Sequence, residues 1–254
     1  MKIHFTKYQA TGNDFVLLDN RGGSIRLSTS DVQRICDRKF GIGADGLMLI
    51  EKHPTLDFNL VYYNSDGTQS LCGNGTRAAM KMASSLGIVN GKASFNAFDG
   101  SHQAEINGDI VKVRMNDVNI SKDDTLISTG SPHIIKFVSG LAHYPVFEEG
   151  RKIRYSFENG VNANFVELLG DNKIYVRTYE RGVEDETLSC GTGVTAAALA
   201  AHFYKGYNSP VAIKTQGGEL TVQFSARPSG DTVTFTDIFL IGPAKMVFEG
   251  DLEL

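Results

Sequence analysis

Two cysteines occupy the same unusual setting at two places in the chain. Cys72-Gly73-Asn74-Gly75-Thr76-Arg77-Ala78-Ala79 recurs as Cys190-Gly191-Thr192-Gly193-Val194-Thr195-Ala196-Ala197. In each copy a lone cysteine precedes a glycine-flanked turn that opens an alanine-rich helical pattern. A thiol at a helix N-terminus lies at the positive end of the backbone dipole, where its thiolate is favoured. Two such thiols suggest proton-transfer chemistry, one sulfur facing the other across a substrate. The competing reading is two small buried hydrophobes, the usual fate of a free cysteine. The shared repeat position favours chemistry. Cys36, between Ile35 and Asp37 with no adjacent glycine, reads as core packing.

The elements that must position these thiols are themselves repeated. Thr11-Gly12-Asn13-Asp14-Phe15 matches Thr129-Gly130-Ser131-Pro132-His133, and Gly41-Ile42-Gly43-Ala44-Asp45 matches Gly160-Val161-Asn162-Ala163-Asn164. Tyr63-Asn64-Ser65-Asp66-Gly67 stands where Tyr179-Glu180-Arg181-Gly182 stands in the second copy. Thr11 precedes Cys72 by 61 positions (72 − 11), and Thr129 precedes Cys190 by the same 61 (190 − 129). The pattern predicts two pseudo-symmetric domains of an α+β fold with a site in the cleft between them. The expected boundaries are 1–115 for the Cys72 half and 116–240 for the Cys190 half, and the family resemblance described below implies that 241–254 returns to the Cys72 half. Each half should be a curved, mainly antiparallel sheet wrapped around one helix.

Alternating or β-branched runs read as strands at Phe15–Leu18, Leu47–Ile50, Phe58–Tyr63, Ile110–Met115, Ile174–Tyr179, Val211–Lys214, Leu220–Phe224 and Val233–Phe235. Asn107-Gly108 and Gly217-Gly218 read as hairpin turns. Helical patterns cover Asp31–Lys39, Gly75–Leu86, Gly193–Lys205 and, more weakly, Val146–Arg154. The second and third are apolar on most faces and so should be buried. Asn116–Asp124 carries few apolar residues and reads as a crossover.

At 254 residues with a net charge of −4, the chain has ordinary globular composition and no basic footprint for nucleic acid. No apolar run is long enough to span a membrane. The opening Met1-Lys2-Ile3-His4-Phe5 lacks the apolar core of a signal peptide, so the expected compartment is the cytoplasm. Three cysteines, an odd count without a Cys-x-x-Cys pair, suit reduced thiols better than disulfides or a zinc site. Gly41-Ile42-Gly43-Ala44-Asp45-Gly46 fits a dinucleotide fingerprint literally, but it follows a helix and precedes a strand, the reverse of what that motif needs.

Other candidate residues lie at the repeat anchors. Asn13, Asn64 and Asn162 are individually turn residues and together a polar lining. Glu180-Arg181 is either a solvated loop pair or a paired reader of an ammonium and a carboxylate, for which a guanidinium is suited. His133, at the start of an apolar run, is either structural or part of the site.

This constellation resembles the diaminopimelate epimerase family, along essentially the whole chain. The resemblance implies an isomerase needing neither pyridoxal phosphate nor metal, which interconverts LL- and meso-diaminopimelate in lysine and cell-wall precursor synthesis. It implies Cys72 and Cys190 as catalytic thiols, and Asn13, Asn64, Asn162, Glu180 and Arg181 as substrate contacts. Gly73-Asn74 and Gly191-Thr192 would form a backbone cradle for the carboxylate at the reacting centre, with His133 assisting. A homodimer is also implied. Family members often carry asparagine where this chain has Ser131, and some carry glutamine where it has Gly46; both are expected near the ligand. A related racemase acting on proline, hydroxyproline or histidine is the close alternative. A one-cysteine nucleophile paired with His133, or a non-catalytic binding protein, are the others.

Overall fold

The computed structural model describes residues 2–70 and 72–253. The chain divides into two compact units, Met1–Val113 with Gly242–Leu254 and Arg114–Ile241.

In the first unit the strands are β1 (Lys2–Ala10), β2 (Asn13–Asp19), β3 (Gly46–Glu51), β4 (Phe58–Asn64), β5 (Lys92–Ala97), β6 (Gly100–Asn107) and β7 (Ile110–Arg114). Pairing runs antiparallel β1–β2, parallel β2–β3, antiparallel β3–β4, parallel β4–β5, then antiparallel through β6 and β7. Two helices accompany them, α1 (Thr29–Cys36) and α2 (Gly73–Ser85). In the second unit β8 is Val118–Ser121, β9 Ile127–Ser128, β10 Pro132–Phe137, β11 Asn162–Gly170, β12 Lys173–Glu180 and β13 Asp185–Thr187. They are followed by β14 (Val211–Thr215), β15 (Gly218–Ser229) and β16 (Thr232–Pro243). Its helices are α3 (Val146–Tyr155) and α4 (Gly191–Lys205). Starting from β9, the pairing alternates antiparallel, parallel, antiparallel, parallel, antiparallel, as it does from β1. The repeat seen in the cysteine segments is therefore a repeat of topology, and the α+β class is as expected.

Each unit buries one helix against its sheet. α2 packs on β1, β2, β3 and β6; α4 packs on β10, β11, β12, β14 and β15. Helix residues 73–80 and 193–201 are buried without a break, which explains why their sequences lack a polar stripe. On the opposite side of the first sheet, α1 covers a core of Val16, Leu18, Val32, Ile35, Cys36, Leu47 and Leu49. Cys36 fills a core position as expected, and burial pushes its thiol up to about 11. In the second unit Val146 of α3 packs with Leu141, Phe165, Tyr175 and Tyr179.

Several elements differ from the sequence reading. α1 stops at Cys36 rather than Lys39 because the Asp37 carboxylate accepts from the N–H groups of Lys39 and Phe40, closing a turn that competes with the helix. The turn between β14 and β15 lies one residue earlier than Gly217-Gly218, since Thr215 pairs with Gly218. The segment read as a plain crossover contains β8, which exists through its pairing with β16. Strands β1 and β17 (Lys245–Glu253), which pair along their length, were not expected.

Candidate active site

α2 and α4 each begin directly after a cysteine. Cys72 and Cys190 are the N-cap residues, both with extended backbone. The Cys72 sulfur accepts from Gly75 N–H at 3.4 Å and lies 3.6 Å from Asn13 Oδ1. Asn13 Oδ1 also accepts from Asn74 Nδ2 at 3.3 Å, while Asn13 Nδ2 donates to Asp45. Asp45 in turn belongs to a compact ion cluster with Arg38, Asp14 and the buried Lys7. In the first unit, then, Cys72, Asn13 and Asn74 come together on a rigid base. Asn64 is turned to its own loop, bonding Thr68 Oγ1 and Ser70 Oγ. It approaches the thiol through Ser70, which lines a shallow depression with Cys72, Met48, Tyr62 and Phe98.

In the second unit the polar shell is more elaborate. Asn162 and Asn164 alternate along β11 and so share one face. Asn164 is fully buried; its Nδ2 donates to His133 Nδ1 at 3.0 Å and its Oδ1 accepts from Thr178 Oγ1 at 2.9 Å. With Nδ1 accepting, the His133 proton sits on Nε2, which faces Ser131 Oγ at 2.9 Å and Thr192 Oγ1 at 3.0 Å. Burial, aided by the charge of Arg181, pushes the His133 imidazole down to about 3. It is a neutral donor at physiological pH. Thr192 Oγ1 lies 3.6 Å from Cys190 Sγ, so the chain Asn164–His133–Thr192 ends at the second thiol.

Asn162 is spent on positioning. Its Nδ2 reaches Ser131 Oγ and the Pro132 carbonyl, and its Oδ1 accepts from the Arg181 backbone N–H at 2.9 Å. Arg181 is exposed, with Nη1 donating to the Asn159 and Gly160 carbonyls. Glu180 Oε2 accepts from Thr187 Oγ1 at 2.9 Å. Gly73, Gly191 and Asn74 are buried at the helix starts, and Thr192 is half-buried there.

The two departures from the family pattern have different roles. Ser131 Oγ is bonded to His133, Thr192 and Asn162, so it is built into the network beside Cys190. Gly46 is required by packing: a Cβ there would fall 2.6 Å from the Tyr62 ring and 2.7 Å from the Tyr63 carbonyl. Three residues were not singled out from sequence. Asn164 had a signal in its i, i+2 relation to Asn162. Thr178, its partner across the sheet, had none. Arg77 of α2 is fully buried, and only its place inside an otherwise apolar helix pointed to it.

Known proteins share the fold and much of the sequence. Hydroxyproline epimerase from Agrobacterium vitis shares the fold at a TM-score of 0.73 and 14% identity, covering 100% of this chain and 93% of that one. A Bacillus anthracis phenazine biosynthesis protein of the PhzF family reaches 0.77 at 16% identity over the whole of both chains. In sequence, a diaminopimelate epimerase from Flavobacterium psychrophilum is 48% identical, covering 98% of this chain and 99% of that protein. One from Chlorobaculum tepidum is 39% identical, covering 96% and 98%. The family model for diaminopimelate epimerase matches residues 5–121 and 125–247, one stretch around each cysteine, and the chain belongs to the diaminopimelate epimerase family.

Proposed function

We propose that this chain is a cofactor-independent epimerase that interconverts LL- and meso-diaminopimelate in lysine and peptidoglycan precursor synthesis. The observation that carries the proposal is the repeated N-cap cysteine, Cys72 on α2 and Cys190 on α4, each at the start of a buried helix. Removing a Cα proton without an electron sink leaves negative charge on the substrate's own carboxylate. The opening N–H groups at Gly73 and Asn74, and at Gly191 and Thr192, would receive that charge, each well-placed donor contributing roughly 3 kcal/mol. Inversion requires one sulfur on each face of Cα. One takes the proton as thiolate, the other delivers a proton as thiol, and the roles exchange with direction. Two thiolates would repel each other and the carboxylate, so the pair titrates in coupled steps.

The far end of diaminopimelate carries a second zwitterion. Arg181 is proposed to bind its carboxylate and Glu180 its ammonium, with Asn64 and Asn162 setting the loop geometry. Proline offers neither group, which favours diaminopimelate over the proline-type alternative. A nucleophilic cysteine served by His133 is disfavoured, because both ring nitrogens are engaged and the ring is neutral by burial. The proposal includes a cytoplasmic homodimer, which light scattering would check.

Incubation with LL-diaminopimelate in D₂O tests the reaction. The expected result is solvent deuterium at Cα of the product, and loss of inversion in both Cys72→Ala and Cys190→Ala. Inversion without solvent isotope, or a single-cysteine variant that still inverts at the wild-type rate, would overturn it.

A further inference from the structure

The amide of Asn13 has two unlike ends, and both are engaged. Its Nδ2 donates to Asp45 Oδ2. Its Oδ1 lies 3.6 Å from Cys72 Sγ and accepts from Asn74 Nδ2 at 3.3 Å. Which end faces the thiol is decided by the partner at the far end. A carboxylate only accepts, so the amide must turn its NH₂ to Asp45 and its carbonyl to Cys72. The flipped amide has the same outline, so shape alone would not choose between the two orientations.

Asp45 is itself held in place. Its Oδ1 lies 2.7 Å from Arg38 Nη2, and the same guanidinium bonds both oxygens of Asp14, at 2.7 and 3.1 Å. Its Oδ2 also accepts from the Asp14 N–H at 3.2 Å, so two donors from adjacent residues converge on one oxygen. Its backbone is bonded to the Asp14 carbonyl at 2.9 Å and to the Ser65 N–H at 3.2 Å. As an ion pair alone, Arg38–Asp45 would matter little, because side chains 59% and 42% exposed add little to stability by pairing. The second unit supplies the contrast. Asp45 stands where Asn164 stands in the repeat, and Asn13 where Ser131 stands. A hydroxyl rotates to donate or accept, so Ser131 needs no partner to set its direction, and Asn164 bonds His133. The carboxylate occurs in the unit whose thiol lies beside an amide.

Resting on the proposed two-thiol reaction, we infer that Asp45, anchored by Arg38, is a positioning residue that fixes the direction of the Asn13 amide, so that a carbonyl acceptor and not an NH₂ donor stands beside Cys72. The sulfur then lies between unlike partners. The Gly75 N–H at 3.4 Å favours its ionised form, and the Asn13 carbonyl at 3.6 Å favours its protonated form. A sulfur that must both take and give a proton is served by one contact of each kind. A flipped Asn13 would present two donors and hold the sulfur as thiolate. Asp45→Asn removes the constraint with almost no change of shape, since an amide offers both a donor and an acceptor to Asn13.

Alkylation of Cys72 by iodoacetamide at pH 7, read on its own peptide by mass spectrometry, tests this without turnover and so stands apart from the isotope test of the reaction. Asp45→Asn should raise the Cys72 rate about threefold, because the freed amide can turn its NH₂ to the sulfur and favour the reactive thiolate. The same substitution also removes a charge, and a variant lacking the amide separates the two effects. In an Asn13→Ala background, Asp45→Asn should leave the Cys72 rate unchanged. A rise that persists there, or a folded Asp45→Asn protein whose Cys72 rate does not rise, overturns the inference. A measurement on the wild type decides it whether or not the variants fold. With asparagine labelled in ¹⁵N, NMR should show an NOE from the Asn13 NH₂ protons to the Asp14 amide proton, since both donate to Asp45 Oδ2. An NOE from those protons to the Cys72 β protons in its place overturns the inference.

Discussion

The equivalent glycines Gly75 and Gly193 give a sharp test of how differently the two helix starts are supported. Both sit in the first turn of a helix, three residues after the N-cap cysteine, and neither has a positive φ. Backbone propensity alone would make alanine better at either position by about 1 kcal/mol. A Cβ at Gly75 would first meet Met48 Cε at 2.6 Å, the far end of a flexible side chain that can swing aside. A Cβ at Gly193 would fall 2.3 Å from Asn164 Oδ1 and 3.3 Å from Cys190 Sγ. Asn164 cannot swing, because its amide bonds His133 Nδ1, the Ile134 carbonyl and Thr178 Oγ1. Displacing it forfeits about three buried hydrogen bonds at about 1 kcal/mol each. After the propensity gain, Gly193→Ala should cost about 2 kcal/mol, a drop in Tm of roughly 4–8 °C for a chain of this size. Gly75→Ala should be near neutral. Because Asn164 holds the histidine that reaches Thr192 and Cys190, the Gly193 variant should also lose turnover by more than tenfold. Thermal melts and epimerase assays on both variants decide it. Equal melting temperatures, or a Gly193→Ala protein with full activity, would refute the idea that Asn164 is a rigid part of the Cys190 shell.

Thr192→Val removes the hydroxyl between His133 Nε2 and Cys190 Sγ; kcat should fall 10- to 100-fold with little change in KM, checked by steady-state kinetics. Arg181→Ala should raise KM for diaminopimelate by about two orders of magnitude, as loss of a paired guanidinium–carboxylate contact implies; unchanged KM would remove Arg181 from distal recognition. Burial opposes ionisation of Asp14, but its bonds to Arg38 and Lys7 outweigh it and hold the carboxyl at about 2. A depressed carboxyl stabilises the fold above its unfolded value and loses that contribution as pH falls through about 2. Asp14→Asn should therefore cost about 2 kcal/mol at pH 7, a difference that shrinks below about pH 4 and closes near pH 2, as denaturant melts across pH would show. His133 has a depressed imidazole, so protonation favours the unfolded chain: stability should decline as pH falls below about 6.5 towards 3, with the folded ring still the neutral Nε2–H tautomer at pH 5 by nitrogen NMR.

The helices that carry the thiols were legible because burial on all sides erased their polar stripe, and their repetition supplied the alignment. What stayed hidden was polarity turned inward. In β1, Thr6 and Lys7 are buried beside Phe5 and Tyr8, so the alternation expected of a strand breaks at a lysine whose charge is answered by Asp14 from β2. Met246, Val247 and Phe248 of β17 are exposed, and that strand is dictated by its pairing with β1 rather than by its own pattern. Arg77 escaped notice for the same reason. An arginine in a helix is expected to reach water, and only the packed structure shows it at zero exposure. The bonds of the Asn162 amide to Ser131, the Pro132 carbonyl and the Arg181 N–H were likewise not readable from its place in the repeat.

A duplicated fold starts with two equivalent thiols, and equivalence is a poor starting point for a reaction that needs one base and one acid. The asymmetry lies in the residues that the repeat does not conserve. Phe15, His133, Arg77 and Thr195 are all fully buried, and they fall at paired positions: an aromatic ring opposite an imidazole, a guanidinium opposite a hydroxyl. The first unit buries a permanent charge, Arg77, five residues along the helix from its N-cap thiol. The second places a neutral hydrogen-bond chain that can donate to its sulfur without adding charge. A rotatable hydroxyl beside a sulfur can donate to a thiolate or accept from a thiol with little preference. On the proposed two-thiol reaction, such a shell would let Cys190 serve as acid in one direction and as base in the other, which a reversible epimerase requires.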